Sequence, residues 1–95
     1  MLKRIVLGLL IACSFSANVF ANDYREIQLI QQAKITLAQA IEIAEKSLPG
    51  KAIAAEIDDD MPTPIYKIKV TKDNMVYKVR VDGTTGAVVS SVLDD

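Results

Sequence analysis

Three consecutive carboxylates, Asp58-Asp59-Asp60, form the densest group of ligating side chains in the sequence. Oxygen donors of this kind suit calcium. Successive side chains point in different directions, however, and the run lacks the alternate-residue spacing and closing glutamate of an EF-hand loop. It reads as a solvated turn, the usual setting of a charge run. A second charged group is Lys67, Lys69, Lys78 and Arg80, which alternate with apolar residues on either side of Lys72-Asp73-Asn74. If Asp73-Asn74 forms a two-residue turn, Lys69 lies across from Lys78 and Lys67 across from Arg80. Like charges directly opposed are mildly destabilising, so four cations on one face suggest a docking surface for an acidic partner. The plainer reading is a solvated exterior with Glu56 as partial counter-ion.

Nucleophilic and metal chemistry find little else to use. The sequence has no histidine and one cysteine, Cys13, close to the N-terminus. Without a His partner there is no Ser-His or Cys-His pair and no ordinary zinc site. Ser47, Ser90 and Ser91 have no evident base beside them, and Gly50, Gly83 and Gly86 all fall in turns rather than in a phosphate-binding loop. Paired-carboxylate hydrolysis would need Asp58, Asp59 or Asp60 held in a pocket, and these stand in an exposed-looking turn. The expectation is a protein with no catalytic residue, no cofactor and no bound metal.

The elements that position these groups are readable from periodicity. Residues 22–34 are the least regular part. Ile27, Ile30 and Lys34 can share a helical face, but glutamines interrupt it, and the segment reads as a leader or frayed helix. Thr36-Leu37-Ala38-Gln39 has the form of a capping box, with Ile35 placed to staple onto Ala40. Leu37, Ala40, Ile41, Ala44 and Leu48 then recur at helical spacing until Pro49-Gly50 ends the helix. From Lys51 the period becomes two. Ile53, Ala55 and Ile57 face one way in a first strand, and Tyr66, Ile68 and Val70 in a second. Met75, Tyr77, Val79 and Val81 do so in a third, and residues 87–93 form a fourth. Tyr66 and Tyr77 are expected to fill the gap between sheet and helix. Asp82 can accept amide hydrogens from its turn and the Thr85 hydroxyl, and Gly86 can supply a positive φ. The fold class predicted is α+β, one helix packed on a four-stranded antiparallel β-meander.

In this order the residues resemble the PepSY family. The run Ile35-Thr36-Leu37-x-x-Ala40-Ile41, closing at Leu48-Pro49-Gly50, is similar to the helix of that domain. Pro64-Ile65-Tyr66-x-Ile68-x-Val70 and Tyr77-x-Val79-x-Val81-Asp82-x-x-Thr85-Gly86-x-Val88 resemble the strand motifs that follow it. Each motif is weak alone, but three in order with matching spacing are fairly specific, and they span residues 35–93. The resemblance implies a binding domain of the kind found in propeptides of thermolysin-type metallopeptidases, in spore-germination proteins and as free exported modules. It implies no active site. No peptidase domain follows within these residues, so restraint of a peptidase would act in trans.

The N-terminus reads as an export signal. Met1-Leu2-Lys3-Arg4 is a short positive start, residues 5–12 are apolar, and Val19-Phe20-Ala21 places small residues at the −3 and −1 positions of a cleavage site after Ala21. The apolar run is short of the ~20 residues that span a bilayer. The organisation expected is 1–21 signal peptide, 22–34 leader or frayed helix, and 35–95 PepSY-like domain. Loss of Lys3 and Arg4 leaves nine cationic against twelve acidic side chains, which argues against a nucleic-acid partner. The function read from the whole is an exported, periplasmic or secreted, non-catalytic binding module that binds or inhibits a peptidase in trans. The alternative is a periplasmic accessory or sensory subunit of a membrane signalling or redox complex. Leu10-Ile11-Ala12-Cys13 also has the form of a lipobox, which would tether the protein to a membrane through Cys13. Cleavage after Ala21 predicts that Cys13→Ser leaves the protein soluble and unchanged in fractionation, whereas lipidation predicts that the substitution abolishes membrane partitioning.

Overall fold

The computed structural model describes residues 21–94, and the apolar run, the lipobox and Cys13 lie outside the described residues. Among the described residues two helices and four strands follow one another: α1 (Ala21–Gln32), α2 (Leu37–Ser47), β1 (Lys51–Ile57), β2 (Ile65–Lys72), β3 (Met75–Asp82) and β4 (Val88–Leu93). The strands form one antiparallel sheet in the order β1-β2-β3-β4, the expected meander.

Helix α2 begins where its cap dictates. The Gln39 amide donates to Thr36 Oγ1 at 3.1 Å, and the Thr36 amide donates to Gln39 Oε1 at 2.8 Å. Two otherwise orphaned donors are thereby satisfied. Ala40 and Ala44 are wholly buried on the sheet, with Leu37, Ile41, Ile43 and Leu48 packed around them. Two alanines at the centre of the contact let helix and sheet approach closely. In the turn after α2, Gly50 lies so close to β2 that a Cβ on it would clash with the Thr71 carbonyl oxygen. The sheet contributes Ile57, Tyr66, Ile68, Val70, Val79 and Val81 to the same core.

The β2–β3 hairpin turns on Asp73 and Asn74, with φ of 54° and 64°. Two successive left-handed residues make the turn whose twist matches paired strands, and Asx side chains tolerate that conformation. The resulting register places Ile68 opposite Val79 and Tyr66 opposite Val81. At the next turn the Thr84 and Thr85 amides donate to Asp82 Oδ1 at 2.7 and 3.2 Å, and Gly86 has a φ of 82°. The Thr85 hydroxyl oxygen instead accepts from the Ala87 amide at 3.1 Å.

Three expectations need correcting. First, Ile53 does not belong to the inward row of β1. The register steps from Ala52↔Val70 to Ala54↔Lys69, so Ile53 is an extra residue in a bulge and is 58 % exposed. One inserted residue reverses the alternation, and Ala52 takes the inward place instead. Second, Met75 and Tyr77 do not fill the gap beneath the helix: Met75 is 46 % exposed and Tyr77 half-buried. Eleven helical residues reach about 16 Å, whereas eight strand residues reach about 26 Å, so the hairpin runs past the end of α2. Third, residues 21–32 form a regular helix whose buried side chain is Leu29, at 0 % exposure, with Ala33 packed beside it. Ile27, Ile30 and Lys34, the face suggested by spacing, point outward. The connector after α1 is tied to the far end of the sheet, because the Lys34 and Ile35 amides both donate to the Gly83 carbonyl, at 2.8 and 3.1 Å.

The burial of Leu29 makes α1 part of the folded unit. Leu29→Ala is expected to lower the unfolding free energy by about 3 kcal/mol in denaturant titration. A change under half that size would show α1 to be an attached leader.

Candidate functional site

The pleat of the β2–β3 hairpin sends Lys67, Lys69, Lys78 and Arg80 to the face opposite α2. Lys69 pairs with Lys78 and Lys67 with Arg80, the juxtaposition anticipated from the two-residue turn. Strands on either side supply the compensating charge. Glu56, the β1 partner of Lys67, reaches its ammonium at 3.2 Å. Asp94, just past β4, lies 3.3 Å from Lys69 and 3.9 Å from Lys78. Asp58 meets Arg80 at 2.7 Å. The face is thus a lattice of four cations on three carboxylates. A shallow depression among them is lined by Ala54, Ala55, Glu56, Lys67, Lys69 and Lys78.

These pairs are unequal. Glu56 and Lys69 are well exposed, and surface pairs of that kind contribute little. Among the described residues Lys69 and Lys78 share one carboxylate, that of Asp94. Arg80 differs, because its partner Asp58 is 4 % exposed. The Asp60 amide also donates to Asp58 Oδ1 at 2.9 Å, leaving Oδ2 to the guanidinium. Burial works to raise the Asp58 pKa. The Asp60 amide, the Arg80 guanidinium and the positive charge of Lys67 outweigh it and hold the carboxyl below the ordinary aspartate value of 3.8.

This corrects the view of Asp58-Asp59-Asp60 as an exposed turn. Asp58 is a buried anchor joining the β1–β2 connection to the outer face of β3, while Asp59 is half-buried and Asp60 exposed. The three carboxylates do have oxygens within 4.8 Å of one another. Both oxygens of Asp58 are nonetheless engaged, and the guanidinium on one of them opposes a second cation, so the cluster fits an ion-pair anchor better than a calcium site. Tyr66 is likewise structural. It is 1 % exposed, its hydroxyl donates to the Ile35 carbonyl at 2.8 Å, and burial raises its pKa. Ser90 and Ser91 lie on β4 opposite Arg80 and Val79, far in character from a nucleophile–base pair.

Sequence reasoning foresaw Glu56 but missed Asp58 and Asp94. Asp94 was within reach: Val92 lies across from Lys78, and two residues on the side chain returns to the same face. Asp58 carried no local signal, since its partner is 22 positions away.

Residues 34–92 match the PepSY family, described as "Peptidase propeptide and YPEB domain". The matched span takes in α2, β1, β2, β3 and nearly all of β4, and leaves α1 outside. No curated protein and no solved structure matches the chain.

A carboxyl held below its unfolded value contributes stability that is complete above the unfolded value and is lost as pH falls through the folded one. Asp58→Asn is therefore expected to flatten the loss of stability below about pH 4. Arg80→Ala, which leaves Asp58 buried with one donor, should cost about 1–3 kcal/mol at pH 7. Thermal melts across pH check both, and an Asp58→Asn curve parallel to the parent in acid would contradict the assignment.

Proposed function

The chain belongs to the PepSY family, and from this we propose that it is an exported, non-catalytic module that binds a partner protein in trans, with a peptidase as the first candidate. The observation that carries the reading is the extent of the match: the cap-to-cap helix and the sheet that define the domain are covered, in a family described by its place in peptidase propeptides. The chemistry of the chain agrees. No histidine is present in the sequence, and the charged groups of the outer face pair with one another. Among the described residues no helix is long and apolar enough to cross a membrane.

The docking face we assign is the one carrying Lys67, Lys69, Lys78 and Arg80. Within it Arg80 serves mainly as the partner of buried Asp58, so the cations we assign to an acidic partner are Lys69 and Lys78, which share Asp94, with Lys67 beside them. Their contribution should appear in association rate and salt dependence more than in raw affinity. An exposed strand edge offers a second route, by strand addition.

The test is capture from the exported fraction by the immobilised protein, followed by assay of peptidase activity in the bound material. Lys69→Glu with Lys78→Glu is expected to reduce capture by about tenfold, while a melt shows the fold intact. Undiminished capture would remove the face from the account. Recovery only with membranes, with proteolysis unaffected, would replace the peptidase reading by that of a membrane-complex accessory.

A further inference from the structure

Helix α1 lies outside the span matched to the family and is nonetheless packed into the fold through Leu29. Its other face is unusual for a surface helix. Ile27 and Ile30 are 53 % and 48 % exposed, and neighbouring Tyr24 is 62 % exposed. Spaced by three and four residues, Asp23, Ile27, Ile30 and Gln31 share one side of the helix. That side borders a groove which the start of α2 closes with Leu37 and the end of β1 with Glu56 and Ile57. The groove therefore has an apolar floor of isoleucines and leucine. Asp23 and Glu26 from α1 and Glu56 from β1 supply carboxylates at its margins.

The one cation that α1 carries near this site is turned away. The Arg25 guanidinium donates to the Met61 carbonyl at 2.7 Å, toward the β1–β2 connection. Lys67 meets the margin through its contact with Glu56. An apolar strip edged by carboxylates is complementary to a segment bearing aliphatic side chains interspersed with lysine or arginine. Such cations can reach Asp23 and Glu26 while their methylene stems cover Ile27 and Ile30. The exposed isoleucines supply the apolar area that makes such contact favourable.

We infer that the groove between α1 and the end of β1 is a docking site for a cationic, apolar segment of a partner protein. The inference rests on the reading of the chain as a binding module, but it concerns a surface of opposite charge to the lysine face. A partner could therefore be held at two complementary places.

The experiment uses a fluorescently labelled peptide of alternating leucine and lysine, with a leucine–glutamate peptide as control, and reads anisotropy on the purified exported protein. The lysine peptide should bind and the glutamate peptide should not. Ile27→Ser with Ile30→Ser should weaken binding by about tenfold. Asp23→Lys with Glu26→Lys should weaken it and flatten its salt dependence. Both pairs of side chains are at least partly exposed, so circular dichroism should report an unchanged fold. Lys69→Glu with Lys78→Glu should leave peptide binding within about twofold, a free-energy change under ~0.5 kcal/mol, which separates failure here from failure of the lysine face. Equal binding by the groove variants and the parent would overturn the inference. So would sedimentation showing a dimer that Ile27→Ser with Ile30→Ser dissolves, because the groove would then be an interface between copies.

Discussion

The structure depends on the tight turn at Asp73-Asn74. With both residues in the left-handed region, the strands leave the turn in a single register, and every later contact of the sheet inherits it. Strand side chains repeat with a period of two, so a slip of one residue would exchange the faces of β2 or β3. Ile68, Val70, Val79 and Val81, all at 0 % exposure, would meet water, and lysines would face α2. The same turn that builds the core thus places four cations together on the outside. Their crowding is a consequence of the register, tolerated because β1, the β1–β2 connection and the end of β4 each deliver a carboxylate to that face.

Much of this was legible because its causes are local. The capping box at Thr36 and Gln39, the stop at Pro49-Gly50, the hairpin turn and the positive φ of Gly86 each depend on residues within a few positions of one another, and each stands as read. The opposition of Lys69 to Lys78 followed from the turn alone. What escaped depends on distance. Nothing around Ile53 marks a bulge, which arises from how β1 must fit the neighbouring strand. The exposure of Met75 and Tyr77 follows from the mismatch between a short helix and a long hairpin. Asp58 looks like any residue of an acidic run until Arg80 is brought beside it.

Helix α1 illustrates the same limit. Its spacing favours the face of Ile27 and Ile30, yet the side chain that enters the core is Leu29, and the connector that follows is pinned to Gly83. Local amphipathicity and tertiary packing thus choose different faces, leaving an apolar, acid-edged surface on an element outside the matched family span. The protein thereby carries a basic face on the sheet and an acidic groove beside it. Two surfaces of opposite sign on one protein can fix the orientation of a partner as well as hold it.

The register of the β2–β3 hairpin is the most direct thing to measure, because core and charge lattice both descend from it. Nuclear Overhauser contacts between backbone protons should pair Lys69 with Lys78 and Lys67 with Arg80. Hα–Hα contacts joining Lys69 to Tyr77 or Val79 in place of Lys78 would contradict the account, since the cations would then no longer share the face opposite α2.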